Sequence, residues 1–238
     1  TAINVTYGYG YDNQGRVASF VSPAGTRNYA YDSFNQVTGA TGGTQSAETY
    51  VYDTNGNRTG TGVTTSAYNR VTNDGTYTYL YDNEGNRIRR TKISNGEYET
   101  YDFDYRQRLV KVTKKTVANA LLQTVDYEYD GLDRRIRRTV QNAAGTVTQK
   151  QRFRYDTNVL NASYAEQVIM LDELATGQPY QQVDHRYMNG PAIDQVFADE
   201  GSGTGNQVLW YLSDLQNTVR DVAKYNSTEA NGKATVYN

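Results

Sequence analysis

Cysteine is absent from this 238-residue chain. Without it there is no disulfide, no thiol nucleophile and no zinc site built on thiolates. Histidine occurs once, at His185, so a catalytic triad or a histidine metal cluster would depend on that single residue. No run approaches the ~20 apolar residues of a membrane-spanning helix. We therefore expect no catalytic centre, metal site, cofactor or membrane span.

Large aliphatic residues are also scarce, which together with a high net charge would indicate disorder. The net charge is only −2, however, and 23 tyrosines supply apolar bulk with a polar tip. We expect a folded chain with a thin, Tyr-lined core, in which Asp, Asn and Arg side chains bind the tyrosine hydroxyls. The balanced charge gives no reason to expect nucleic acid as a partner.

A short signature recurs along the chain: an aromatic residue, any residue, then Tyr-Asp and a tight turn. Residues i and i+2 of a strand share a face, so the two aromatics of each copy are predicted to lie side by side. Asp opens a type I turn, and the fourth turn residue takes positive φ. The predicted structural repeat residues are Tyr11, Asp12, Gly15, Tyr31, Asp32, Tyr52, Asp53, Gly56, Tyr81, Asp82, Gly85, Tyr129, Asp130, Tyr155 and Asp156.

The turns and the residues after them vary between copies. Asn35 and Asp133 stand where other copies have Gly, and both residue types tolerate positive φ. The segments 104–107 and 156–159 depart from the template. A basic or amide residue and a β-former follow each turn, as in Arg16-Val17, and begin a return strand. The pattern predicts an all-β chain of consecutive antiparallel β-hairpins.

The signature carries a family resemblance. The pattern aromatic-x-Tyr-Asp-x-x-Gly-Asn-Arg at 50–58 and 79–87 resembles the YD-repeat proteins, which include bacterial Rhs proteins, the C component of insecticidal toxin complexes and animal teneurins. The stretch 186–195 resembles the segment that precedes the core region of bacterial members. Residues 210–214 and 218–222 resemble the core motif, with Leu215 and Asn217 replacing a common His and Gly.

The resemblance implies a curved or spiralling β-strip, part of a shell or solenoid, that winds into a hollow shell around a C-terminal polypeptide. Family members cleave themselves at an aspartate motif after the core. No Asp-Pro-x-Gly segment follows residue 222, so no protease residue carries over. A closed shell takes many more repeats, and we expect this chain to be a fragment whose edges need flanking repeats or identical subunits.

We divide the chain into a YD-repeat hairpin array at 1–157 and a less regular β segment at 158–238, which resembles the core-associated region. The segments 39–44 and 59–62 are predicted as loops. A short helix at 165–174 is an alternative to a strand there. Further strands are predicted at 167–171, 181–187, 192–198, 208–212 and 218–223.

Other candidate sites each have a structural alternative. The calcium-like turn at 53–57 has Gly at position 4, whereas an EF-hand needs it at position 6. The basic runs 87–90 and 134–138 could contact phosphate, but we expect them to pair with Asp and Glu or to stack on Tyr. Trp210 and Tyr211 are candidate ligand contacts, because an aromatic pair can stack on a sugar, although core packing is the default.

The function predicted from the sequence is structural. We expect a wall segment of an Rhs/YD-repeat shell, or a surface filament, associated with secretion or encapsulation of polypeptide. The alternative is a cell-surface adhesin that binds carbohydrate or protein through its Tyr-rich face. The protein is expected to be extracellular or on a bacterial cell surface, and not an enzyme. Its expected partners are flanking repeats or identical subunits, an encapsulated polypeptide, and carbohydrate.

Overall fold

Antiparallel strands make up most of this protein. The structure, a computed structural model, describes residues 6–60, 62–155, 168–174, 185–190, 195–201, 208–213, 218–225 and 234–237. The one helical turn in these ranges is a 3-10 turn at Ala67–Asn69. The first strands are β1 (Gly8–Tyr11), β2 (Val17–Ser22), β3 (Gly25–Tyr31), β4 (Val37–Gly42), β5 (Glu48–Thr49), β6 (Val51–Tyr52), β7 (Arg58–Thr59), β8 (Val63–Ser66), β9 (Arg70–Asp74), β10 (Tyr77–Tyr81) and β11 (Arg87–Lys92).

The strands follow one another in space as they do along the chain. Each sheet keeps the order of the sequence, with β1–β5, β6–β7 and β8–β22 forming sheets of five, two and fifteen strands. This linear order confirms the predicted all-β strip of consecutive hairpins. The remaining strands are β12 (Tyr98–Phe103), β13 (Leu109–Lys115), β14 (Leu121–Tyr129), β15 (Arg135–Asn142), β16 (Val147–Tyr155), β17 (Val168–Leu174), β18 (His185–Asn189), β19 (Val196–Gly201), β20 (Val208–Ser213), β21 (Val219–Tyr225) and β22 (Ala234–Tyr237).

The Asp-opened turns are built as the sequence predicts. In the first, the Gly15 N–H donates to the Asp12 carbonyl and the Asp12 N–H donates to the Arg16 carbonyl. One Asp12 carboxylate oxygen also accepts the N–H groups of Gln14 and Arg16, at 2.9 and 3.0 Å. This carboxylate satisfies backbone donors that the turn would otherwise leave open. The fourth turn residue has positive φ at Gly15, Asn35, Gly56, Gly85, Gln107 and Asp133.

Gln107 corrects one expectation. The segment 104–107 departs from the sequence template, yet Gln107 has φ of 59° and its N–H donates to the Asp104 carbonyl. The Asp carboxylate and the flanking strand pairs therefore impose the turn even on a residue poorly suited to positive φ. Turns of the same type, opened by Thr116 and Asn142, lie at the opposite ends of their strands, and the signature did not point to them.

Two other predictions are wrong. Gly39 and Ala40 belong to β4 and not to a loop, because a Cβ at Gly39 would approach the Glu48 carbonyl to 3.3 Å and glycine lets β5 pack that closely. Thr59 likewise belongs to β7. The described part of 165–174 is strand β17, which pairs with β16 over its length. This confirms the strand predicted at 167–171 where the structure describes it, in place of the helix considered there. Asp156, with the turn at 156–159, lies outside the described residues, as do Leu215 and Asn217.

One side of the sheet carries the aromatic residues of the repeats. The strand register places Tyr79, Tyr101 and Tyr127 on the same side, which we call the Tyr face. Tyr79 and Tyr81 are half-buried there, whereas Leu80 between them is exposed, as expected for paired aromatics. The core is thin, as predicted. The buried hydrophobic residues in the described ranges are Ala40, Val125, Val140, Ala198 and Ala223.

Replacing Gly15 with alanine tests whether positive φ fixes the turn. A Cβ at Gly15 meets nothing within 4 Å, so the substitution acts through its φ of 77° alone. We expect Gly15→Ala to lower the free energy of unfolding by about 1 kcal/mol. The measurement is urea unfolding followed by circular dichroism.

Gly131→Ala is the matched control for this substitution. It also has open space around the added Cβ, but φ at Gly131 lies outside the left-handed region. It should leave stability unchanged or raise it slightly. Equal losses in the two variants would show that positive φ is not what the turn requires.

Candidate functional site

In five of the repeats the second tyrosine donates its hydroxyl to a backbone carbonyl of the preceding unit. Tyr129, for example, donates to the Leu109 carbonyl at 2.8 Å. The β12–β13 pairing register shifts at Leu109, which interrupts the backbone hydrogen bonds between these strands. The Tyr129 hydroxyl supplies a hydrogen bond to the Leu109 carbonyl at this interruption. The other pairs of this kind, each with its acceptor at a register shift, are Tyr31 with Val17, Tyr52 with Val37, Tyr81 with Val71 and Tyr155 with Arg135.

An arginine after the turn makes the reciprocal contact. Arg108 binds the carboxylate of its own turn, with Nε 2.8 Å from Asp104 Oδ2. It also reaches the next turn, where it donates to the Asp130 carbonyl at 3.3 Å and to Asp133 Oδ1 at 2.7 Å. Its guanidinium carbon lies 4.9 Å from the centroid of the Tyr129 ring. One side chain therefore ties together two turns and the tyrosine between them.

The same arrangement links the first two repeats. Arg16 binds Asp12 at 2.6 Å and reaches the Asp32 carbonyl at 3.3 Å and Asn35 Oδ1 at 2.8 Å. Its guanidinium carbon lies 4.5 Å from the centroid of the Tyr31 ring. We call this pair of contacts the clamp: an arginine reaching forward to the next turn and a tyrosine hydroxyl reaching back. The residues that replace Gly at positive φ, Asn35 and Asp133, also serve as its acceptors.

The clamp varies along the chain. Arg70 donates to the Asp82 carbonyl at 3.0 Å, and the Arg134 guanidinium lies 4.8 Å from the Tyr155 ring centroid. Elsewhere an amide occupies the arginine position. Asn57 and Asn86 each bind the Asp of their own turn, at 2.9 Å. Gln36 also stands at this position, and there the Tyr52 hydroxyl still donates to the Val37 carbonyl, at 2.7 Å. The tyrosine contact can therefore form without an arginine beside it.

A second arginine position stacks on the Tyr face. The Arg87 guanidinium lies 5.3 Å from the Tyr79 ring centroid and 5.1 Å from that of Tyr101. Arg135 lies likewise between Tyr127 and Phe153, at 5.7 and 4.5 Å. The basic runs therefore stack on aromatic rings and pair with acids, as the sequence predicts. Cation–π contacts of this kind contribute ~0.5–1 kcal/mol each at exposed sites.

The tyrosine hydroxyls correct the predicted hydrogen-bond partners in part. We expected side chains of Asp, Asn and Arg, and Tyr79 does donate to Asp74 at 2.5 Å. The second tyrosines, in contrast, use backbone carbonyls. Burial, followed by its hydrogen bond to Asp74, raises the pKa of Tyr79 to about 12. Burial and a hydrogen bond to Glu99 raise the pKa of Tyr101 to about 12 in the same way.

The carboxylates of the turns are held in their charged form. The hydrogen bond from the Arg108 side chain lowers the pKa of Asp104, with backbone N–H donors adding to the effect. The Asn57 side-chain amide does the same for the pKa of Asp53. Hydrogen bonds to a carboxylate favour its ionised form. The turns opened by Asp53 and Asp104 therefore favour a negatively charged Asp.

Trp210 and Tyr211, the candidate ligand contacts, lie on opposite faces of β20. Trp210 pairs with Ala198 and Ala223, which are buried on either side of it, and is itself 45% exposed. The Tyr211 hydroxyl points to the other face, 3.4 Å from Asp199 Oδ2, and burial raises its pKa. The two rings therefore form no joint platform, and each remains a candidate contact only by itself.

The sole histidine pairs with an acid that sequence reasoning did not single out. His185 Nδ1 lies 2.9 Å from Oδ2 of the buried Asp199, and its ring stacks on Tyr187 with centroids 6.2 Å apart. Asp199 had no sequence signal, since β18 and β19 bring it to His185 through their pairing. Among the described residues, no group of three or more His, Asp or Glu side chains is placed to hold a metal ion.

Comparison with known proteins agrees with this repeat. A family model described as the teneurin YD-shell matches residues 4–158. No curated protein matches the chain. Since the structural likenesses below have TM-scores under 0.5, the family assignment rests on the sequence model. Similar solved structures include a Photorhabdus luminescens Tc holotoxin pore, with 9% identity over 97% of this chain and 14% of that chain and a TM-score of 0.31. A TcdB2–TccC3 complex without its hypervariable C-terminal region has 10% identity over 99% of this chain and 14% of that chain, with a TM-score of 0.30. A porin-like protein from Bacteroides uniformis has 14% identity over 92% of this chain and 89% of that chain, with a TM-score of 0.42.

Tyr129→Phe tests the backward half of the clamp. The variant keeps the ring that stacks on Arg108 and removes only the hydroxyl that reaches Leu109. We expect the free energy of unfolding to fall by about 1 kcal/mol, the usual contribution of such a hydrogen bond. The matched control is Tyr105→Phe, because Tyr105 is 91% exposed and should tolerate the change. Equal stability of the two variants would remove the clamp as a stabilising contact.

Acid should weaken the turns. Because the pKa of Asp53 is lowered by folding, its contribution is present above the ordinary carboxyl pKa of about 3.9 and is lost as pH falls through the lowered value. We expect Asp53→Asn to reduce this loss, since an amide can still accept the backbone N–H bonds of the turn without titrating. Urea unfolding of both proteins between pH 6 and pH 2.5 measures the difference, and parallel curves would contradict the expectation.

Proposed function

The chain belongs to the teneurin YD-shell family, and on this basis we propose that it is a segment of the wall of a shell that encloses polypeptide. The repeated clamp supports the proposal. Arg16, Arg70 and Arg108 each reach forward to the next turn, and in five repeats a tyrosine hydroxyl reaches back to the unit before it. Such nearest-neighbour contacts let an array of any length be built from one unit. A wall needs this extendable geometry, whereas a catalytic centre does not.

The edges of the strip support a partner role for further repeats or identical subunits. In the described part of the chain, β1 has backbone pairing with β2 and β22 with β21, and each ends its sheet. Open strand edges readily pair with other strands. The chain spans 14% of the length of the toxin chains that it resembles. We propose that flanking repeats, or other copies, continue the wall at these edges.

Family membership also supports a location outside the cell. Enclosure of polypeptide by a shell fits a secreted or surface-bound protein, and we propose an extracellular or cell-surface site. No helix in the described residues has the length and hydropathy of a membrane span. We propose that the enclosed partner is a polypeptide.

The adhesin alternative has weaker support. Sugars bind aromatic residues by stacking on an open ring face, and the Tyr face offers few such faces. Arg87 lies against both Tyr79 and Tyr101, and Arg135 lies against Tyr127. A sugar would have to displace these guanidinium groups and their cation–π contacts. The covered rings favour a packing role for the Tyr face.

A protease-protection assay on the complete polypeptide that carries this segment tests enclosure. A protease-sensitive tail is placed after the last repeat, and its cleavage is compared with that of the free tail peptide. The wall function predicts slow cleavage in the wild type. Arg108→Ala, which removes contacts to two turns, should speed cleavage by loosening the wall.

Arg137→Ala is the matched control for this assay. Arg137 binds Glu128 at 2.7 Å, directly across the β14–β15 pair of one hairpin, so its loss should leave cleavage slow. If the tail of the wild-type protein is cleaved as fast as the free tail peptide, the enclosure proposal is overturned. Glycan-array binding by that same unprotected protein would replace it with the adhesin function.

A further inference from the structure

Side chains near the two ends of the chain contact each other. The Tyr7 hydroxyl donates to Asp221 Oδ2, across 214 positions of sequence. The adjacent Arg220 guanidinium lies 4.7 Å from the centroid of the Phe20 ring. We infer that the N-terminal sheet and β21 form an intramolecular seam, so that the strip turns back on itself within one chain. The repeat signature, whose contacts join neighbouring repeats, does not imply this contact.

Burial of Asp221 is the strongest support for the seam. This residue is 3% exposed, although it lies in a strand close to the chain end. A carboxylate removed from water is costly unless a donor is bound to it. The Tyr7 hydroxyl supplies such a donor from the N-terminal segment. The Tyr7 ring stacks on the Phe20 ring, with the ring centroids 6.0 Å apart and an angle of 3° between the ring planes.

The aromatic side of the seam is preorganised. Tyr9 and Phe20 face each other across β1 and β2, with ring centroids 5.1 Å apart. Together with Tyr7 they form an aromatic cluster whose central ring, Phe20, meets the Arg220 guanidinium. A cation over an aromatic face is attracted by the ring quadrupole. Two independent polar contacts, one anionic and one cationic, thus join the same two segments.

The seam is joined by specific contacts and not by a broad apolar interface. A cavity of about 140 Å³ lies beside it, lined from the N-terminal sheet by Phe20, Arg27 and Tyr29, and from β21 by Arg220. Incomplete packing leaves little apolar burial to hold the segments together. The seam should therefore be sensitive to the loss of a single hydroxyl or carboxylate, which makes it testable by conservative substitutions.

A double-mutant cycle with Tyr7→Phe and Asp221→Asn tests the seam. Each variant removes one partner of the hydrogen bond with little change in volume. If the bond forms in solution, the two effects on the unfolding equilibrium constant should be coupled by about tenfold, since hydrogen bonds to charged groups are among the stronger ones. Urea unfolding of the four proteins gives the coupling, and additive effects would overturn the inference.

Two comparisons make the result specific. Tyr31→Phe combined with Asp221→Asn should be additive, because Tyr31 donates to Val17 and has no contact with β21. A second cycle with Phe20→Leu and Arg220→Ala keeps the seam testable if Asp221→Asn fails to fold. The unfolding midpoint should not depend on protein concentration. A coupling between Tyr7 and Asp221 that grows with protein concentration would place the contact between copies and overturn an intramolecular seam.

The seam and the wall function fail in different ways. The seam concerns residues 7–20 and 220–221 of one chain and is read from unfolding equilibria. Enclosure is read from cleavage of a tail on the complete polypeptide. If the Tyr7 and Asp221 effects are coupled but the tail is cleaved rapidly, the seam stands and the wall function is overturned. If the effects are additive but the tail is protected, the wall function stands and the seam is overturned.

Discussion

The clamp between successive turns is the contact on which the rest of this structure depends. A strip of polar hairpins has no thick apolar core, and a single hairpin is marginal in water. The hydroxyl of Tyr129 and the guanidinium of Arg108 each cross from one repeat to the next, and so fix the spacing between hairpins. Because both groups bind backbone carbonyls, the clamp tolerates variation in the side chains around it.

The thin core distributes stability along the strip. Few described hydrophobic residues are buried, and stacked arginines and tyrosines fill the Tyr face between them. Each repeat then contributes through contacts with its neighbours, as in other repeat proteins. This arrangement suits a wall, which must be extended and uniform. It also means that pH acts at several places along the array, because folding lowers the pKa of the turn carboxylates of Asp12, Asp53, Asp82, Asp104 and Asp130.

The repeat signature predicted the hairpins because its chemistry is local. Asp12 and Gly15 shape one turn with groups that are four residues apart or fewer, so their spacing in sequence is sufficient. Gln107 shows the limit of this reasoning. It adopts positive φ because the Asp104 carboxylate and two paired strands impose the turn, which no single residue type reveals. Gly39 was misread for a similar reason, since the close approach of β5 is a property of the neighbouring strand.

By itself the sequence determined the class of fold, the order of the hairpins, the position of most YD turns and the family. These features arise from strand alternation and turn chemistry within a few residues. Only the tertiary structure decided that the second tyrosines bind carbonyls of the preceding repeat, that Trp210 and Tyr211 face opposite sides, and that His185 meets Asp199. Those contacts depend on strand register and on how distant strands pack, and neither is encoded in the spacing of any short motif.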